Sequence, residues 1–374
     1  MHIFLIMAII IAVSCLLVTY RTLTSYSSFP LWARTSIFTW LTISWFSPVI
    51  LKLIRHYNLF TGLSYAIFAK TAYFMLGIVF VLVILLLIRE VIWYAIYSIT
   101  KNPNLSPDNV KLLNRNNLIT VILSVLISVY SVYEANKNPN VIDITIEDTK
   151  IKEDTKVVVA SDLHIDMATP LWRIKQIVNL INEQNPDYVL LVGDIVDDEP
   201  AVLKDKTEEL KKLKAKKIYL TLGNHEHYNE PTKWLIAFTH LGFDVLYNTG
   251  EKINDTGIFV AGIPDMYSVE PNFEKAEHYS SEGEYKILMS HSPAIAKELK
   301  PNQFDLTVSG HTHGGQIFPF HFIVKSANDF LAGMYEVNNN KLYISRGASY
   351  WGPPMRIFAP SDITVFNFKA KQND

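Results

Sequence analysis

The chain has 374 residues, 49% of them hydrophobic and 19% charged, with one cysteine, a net charge of −2 and a mean hydropathy of +0.15. Those figures exclude a disulfide-stapled scaffold, a collagenous or disordered chain and a strongly basic nucleic-acid binder. The averages hide two halves: residues 1–135 hold nine basic and three acidic side chains, while the rest hold 25 and 33, so +6 is joined to −8.

In chain order, four apolar stretches come first, at residues 3–20, 36–54, 71–88 and 118–133. A helix needs about 20 apolar residues to cross the hydrocarbon core, where backbone polar groups must be satisfied internally. The unbroken run at 78–88 makes the third the clearest. Ser44, Ser47 and Pro48 in the second, and the shortness of the fourth, leave an interfacial placement as the alternative for each. Cys15 lies inside the first run, which no basic cluster precedes, so the run reads as a retained anchor. Trp32, Trp40, Trp45, Trp93, Tyr94 and Tyr97 fall near segment ends, where amphipathic rings sit at headgroup level. No ionisable residue lies clearly within a span, so the region reads as an anchor for an integral membrane protein in a lipid bilayer. With four spans, the Lys/Arg loop count favours an outward-facing second half by six to four.

Residues 136–140 form a polar, turn-rich linker, and 141–374 form a second region. Residues 141–151 alternate apolar and polar, and short apolar runs recur at 157–160, 188–192, 218–222, 258–263, 286–289, 306–308, 342–344 and 363–366. Helical patterns at 172–183 and 204–214 lie between them. The layout predicts an α/β domain.

Five of these runs end in chemistry-bearing residues: Ser161-Asp162-Leu163-His164, Gly193-Asp194, Gly223-Asn224-His225-Glu226, Ser290-His291 and Gly310-His311-Thr312-His313-Gly314-Gly315. Ligand sites of α/β sheets lie at the carboxyl ends of strands. One Asp-x-His or Gly-Asp alone reads as a turn. Five in succession point to a metal site built from carboxylates, an amide and imidazoles, a donor set suited to Mn, Fe or Zn.

This order of motifs resembles the calcineurin-like metallophosphoesterase superfamily, over about residues 141–370. The resemblance implies a two-sheet sandwich flanked by helices and two divalent metal ions. It assigns Asp162, His164, Asp194 and His313 to one metal and Asp194, Asn224, His291 and His311 to the other, with Asp194 as the bridge. It makes His225 the residue that protonates or stabilises the leaving oxygen. Glu226 is expected to orient His225, with a structural carboxylate as the alternative. His227, His240, His278 and His321 match no motif position. Gly314-Gly315-Gln316, Gly333-Met334-Tyr335 and Ser345-Arg346-Gly347 resemble the branch with N-terminal transmembrane helices.

The expected activity is metal-dependent hydrolysis of a phosphodiester, phosphomonoester or pyrophosphate in a small-molecule or lipid substrate. UDP-2,3-diacylglucosamine is one lipid-linked candidate, although soluble enzymes acting on it usually carry Arg where this chain has His225. A non-catalytic metal-binding membrane receptor or scaffold is the alternative. The apolar stretch 317–324 follows the last motif and reads either as a core loop or as a lip that meets an acyl chain or the bilayer.

Overall fold

The computed structural model describes residues 2–24, 29–57 and 59–371. The chain divides into two compact units, one formed by Met1–Tyr133 with Gly352–Met355, the other by Glu134–Trp351 with Arg356–Asp374.

The first unit is helical: α1 (His2–Thr24), α2 (Leu31–Trp45), α3 (Ser47–His56), α4 (Gly62–Thr100) and α5 (Val110–Asn136, which runs on into the second unit). Among the described residues, α4 and α5 are each long and apolar enough to cross a membrane, and α2 with α3 would be a third span if counted together. That pair bends by 65°. Pro48 at the start of α3 has no N–H to continue the hydrogen-bond ladder of α2, so the stretch read as one span at 36–54 breaks at Phe46. α1 is a 23-residue apolar helix, of which Ile9–Thr24 is the part with described side chains. Among the described residues two or three spans are therefore counted, against the four expected from the sequence.

The second unit is a sandwich of two six-stranded mixed sheets. In chain order its elements are β1 (Asn140–Asp148), β2 (Thr155–Ala160), α6 (Leu171–Glu183), β3 (Tyr188–Val192), α7 (Pro200–Thr207), β4 (Lys217–Thr221), α8 (Asn224–Tyr228), α9 (Pro231–His240), β5 (Asp244–Val245), β6 (Thr249–Ile253), β7 (Ile258–Gly262), α10 (Phe273–Ala276), β8 (Tyr285–Met289), β9 (Leu306–Ser309), α11 (His321–Asn328), β10 (Gly333–Val337), β11 (Asn340–Ile344) and β12 (Asp362–Ala370). One sheet runs β1-β12-β2-β3-β4-β5 and the other β10-β11-β9-β8-β7-β6.

Strand periodicity builds the layers. Val157 and Val159 of β2 join Leu190, Val192, Val260, Ile287, Met289 and Val308 in the core between the sheets. Val158 and Ala160 point the other way, into a second core with Ile174, Ile177 and Ile181 of α6 and Trp234 and Phe238 of α9. A strand buried on both faces reads as a continuous apolar run, which is why β2, β3 and β8 were legible. The run at 204–214 is a short helix followed by a 3₁₀ turn, Glu208–Lys212. The last residues of the expected domain, 372–374, lie outside the described residues.

Candidate metal centre

β2 and β3 are parallel neighbours and deliver Asp162 and Asp194 just beyond their ends, β4 delivers Asn224 and His225, β8 delivers His291, and β9 delivers His311 and His313. Backbone bonds hold these ends in register: Asp162 N donates to Gly193 O at 3.1 Å, His164 N to Asp194 O at 3.0 Å, and Gly310 N to His291 O at 3.1 Å.

Five of the seven expected ligands, Asp162, His164, Asp194, His311 and His313, adopt φ between 45° and 71°. The left-handed region is costly for residues with a Cβ, and such strain gathers at functional sites. Glycines relieve the crowding. A Cβ on Gly223 would lie 2.2 Å from Asp194 Oδ1, and one on Gly310 would lie 2.2 Å from Asp162 Oδ2.

Among the described residues three groups of side chains have converging donor atoms: His164 with Asp197 and His225, and the two made wholly of expected ligands, Asp162 with His164 and His313, and Asp194 with His291 and His311. Asp194 Oδ2 reaches both, lying 2.9 Å from His291 Nε2 and 3.9 Å from His164 Nε2. Asp162 Oδ1 lies 3.2 Å from His313 Nε2 and 3.8 Å from His164 Nε2. Backbone N–H groups fix the carboxylates, His225 N donating to Asp194 Oδ1 at 2.9 Å and His311 N to both Asp162 oxygens at 3.1 Å.

The imidazoles are prepared from behind. His164 Nδ1 lies 2.7 Å from Asp197 Oδ1, and His291 Nδ1 lies 3.0 Å from the Val192 carbonyl, so each ring is fixed with Nε2 turned toward the carboxylates. His313 is held differently: the fully buried Arg356 donates to its Nδ1 and its carbonyl at 3.2 Å, and also to the carbonyls of Arg346, Ser349 and Ala359.

The residues present fit bound cations on two observations. Asn224 Oδ1 is buried and makes no hydrogen bond, a costly state for a polar atom unless a ligand takes it. The charges also need a counterion. Burial pushes the Asp194 carboxyl up, yet His291 beside it holds it well below the usual range; burial likewise pushes His291 down, and Asp194 holds it up at about 10. That proton occupies the place where a cation would supply the same charge.

His225 stands at the edge of the centre, its Nε2 3.9 Å from Asp194 Oδ2 and its ring 4.7 Å from that of His164. Its Nδ1 lies 2.8 Å from Asp197 Oδ1. Glu226, expected to orient His225, is fully buried and faces elsewhere, accepting from the backbone N–H groups of Asp194, Ile195, Val196 and Gly223. Burial, and then the charge of Asp194, push its carboxyl up to about 7. Glu226 braces two ligand loops, and Asp197 is the carboxylate on His225. Asp197 and Arg356 were both missed. Asp197 had a signal, a second aspartate three residues beyond Gly193-Asp194; Arg356, inside an irregular segment, had none. Around His225 stand Tyr228, with ring centroids 5.6 Å apart, and Trp351, at 6.2 Å, both exposed. None of His227, His240, His278 and His321 joins either ligand group among the described residues.

A model of the calcineurin-like phosphoesterase family matches residues 155–315. An uncharacterised metallophosphoesterase of Campylobacter jejuni is 34% identical over 263 residues, which cover 68% of this chain and 70% of that protein. The chain belongs to the calcineurin-like phosphoesterase family. It is therefore a metal-dependent phosphoester hydrolase with apolar N-terminal helices. A transmembrane protein with a metallophosphoesterase domain from Danio rerio is 30% identical over 67% of this chain and 62% of its own length. An uncharacterised metallophosphoesterase of Helicobacter pylori is 32% identical over 64% of this chain and 66% of its own. For these two, the shared region is less than two thirds of the relative.

Proposed function

We propose that this family member is a membrane-anchored dinuclear phosphoesterase, with Asp162, His164, Asp194 and His313 holding one divalent cation and Asp194, Asn224, His291 and His311 the other. The observation that supports it best is Asp194 Oδ2, within 4 Å of an imidazole from each group. Bound cations of the Mn, Fe or Zn type supply Lewis acidity toward the phosphoryl oxygens and acidify water. The protein's own part begins with Asp197, which holds His225 Nδ1 so that Nε2 is free to hold a proton toward the departing oxygen. Asp194 and Asp162 anchor the charge, and the backbone N–H groups of His225 and His311 keep them oriented.

The substrates we assign are phosphoesters or pyrophosphates on lipid-linked or envelope molecules, a class that includes UDP-2,3-diacylglucosamine, hydrolysed beside the bilayer that the chain's apolar helices enter. The test is hydrolysis of an aryl phosphodiester by the full chain in detergent with Mn²⁺. Asp194→Asn and His311→Ala should abolish turnover together with metal content, while His225→Ala should cut turnover and keep the metal. Activity that survives chelation and both ligand substitutions would sink the dinuclear reading.

A further inference from the structure

The stretch beginning at Ile317 is no core loop. Its helix α11 has no buried residue; Phe322 is 64% exposed and Ile323 61%. Beside it stands Phe358, 84% exposed and held at φ 58°, a conformation that a bulky side chain occupies only under constraint. The constraint is visible: Ile357 N donates to Gln316 O at 2.8 Å and Phe318 N to Ile357 O at 3.2 Å, so the two segments are stitched together. Phe318 then contacts both neighbours, its ring 5.6 Å from Phe358 and 6.2 Å from Phe322. The result is a built aromatic lip, raised a few residues after the ligand candidates His311 and His313.

We infer that this lip, formed by Phe322, Ile323 and Phe358, inserts into the headgroup and upper acyl layer of a lipid bilayer and brings the metal centre to the membrane surface. The occupant follows from the chain itself. It carries helices apolar and long enough to cross a membrane, and only residues 137–139 separate the end of α5 from the start of β1. The chemistry agrees: aromatic and aliphatic side chains beside the exposed Lys325 match the composition of an interfacial helix, apolar on one side and cationic at headgroup level. The nearby Asp329 is paired with Lys297 and so presents no bare anion to lipid phosphates.

The inference concerns lipid contact and does not rest on turnover. The test places the full chain, with Cys15→Ser, in nanodiscs at one copy per disc, with a bimane label at Phe322→Cys or Phe358→Cys. The lipids carry a nitroxide near the top of the acyl chain. Tyr279→Cys, exposed in the loop after α10, is the control. Both lip labels should lose about half or more of their fluorescence relative to nitroxide-free discs, since an interfacial helix sits ~5–10 Å into the boundary, with the Tyr279 label unchanged. A label at Ile323→Cys should lose its quenching once Phe322→Glu and Phe358→Glu are added, with metal content showing that the fold persists. Equal quenching of lip and control labels overturns the inference. So does quenching that appears only in discs holding two copies, which would make the lip a contact between chains.

Discussion

Asp197 places one carboxylate oxygen 2.8 Å from Nδ1 of His225, and the same oxygen lies 2.7 Å from Nδ1 of His164. One side chain thus sets the tautomer of a candidate ligand and of the candidate proton donor. Asp197→Asn offers a neutral amide to two N–H groups and satisfies neither as well. Metal affinity should fall about 10–100-fold, the usual cost of losing a partner behind a ligating histidine. Turnover at saturating metal should also fall, by about 10²-fold or more, because His225 is no longer held. Metal titration followed by kcat measurement separates the two losses, and an unchanged kcat at full occupancy would remove Asp197 from the mechanism.

Glu226→Gln should read out as stability. Four backbone N–H groups converge on the Glu226 carboxylate, and a glutamine presents one acceptor oxygen and an NH₂ group that repels them. Leaving buried donors unsatisfied costs about 1–3 kcal/mol each, so a loss of at least about 2 kcal/mol is expected. Thermal unfolding of the purified chain measures it. The fraction that stays folded and metal-loaded should retain near-normal kcat; a collapse of kcat with an unchanged melting temperature would return Glu226 to catalysis.

The sequence was most informative where one residue type has one job. Asp162, His164, Asp194, His291, His311 and His313 follow apolar strands in a fixed order, and strand ends are where such sheets place ligands, so their convergence could be anticipated. Glu226 was harder, because a carboxylate that accepts backbone N–H groups and one that orients an imidazole look alike in a motif. The break at Phe46 was partly visible in Pro48. The exposure of Phe322 and Phe358 was not visible, since an apolar run is equally consistent with burial, and only tertiary packing decides between them.

Gly223→Ala and Gly310→Ala should empty the metal centre although neither glycine can ligate. Each added Cβ falls 2.2 Å from a carboxylate oxygen, of Asp194 and Asp162 respectively, closer than any real contact. The carboxylate must turn away, and the neighbouring backbone cannot yield because it carries the next ligand. Gly242→Ala is the control: nothing lies within 4 Å of its Cβ, and its φ of 92° costs only local strain of roughly 1 kcal/mol. Metal analysis after dialysis should show full loading of the control and severe loss in the other two. Equal loading in all three would mean that the carboxylates are not the anchors of the site.

The Asp197 contact also predicts an acid limit. Burial raises the cost of its charge, but His164 and then His225 more than offset this and hold the carboxyl down at about 2. An unfolded chain has Asp near ~3.9. A carboxyl depressed in the folded state adds stability that is complete above the unfolded value and is lost as pH falls through the folded one. In chelated protein the contribution should therefore be whole above about pH 4 and fade toward pH 2, amounting to roughly 2 kcal/mol for a side chain one fifth exposed. Urea unfolding of the wild type and Asp197→Asn between pH 5 and 2 measures it as a stability gap. The gap should narrow steadily on acidification, and one that stays constant across that window would mean that packing, and not charge, holds Asp197 in place.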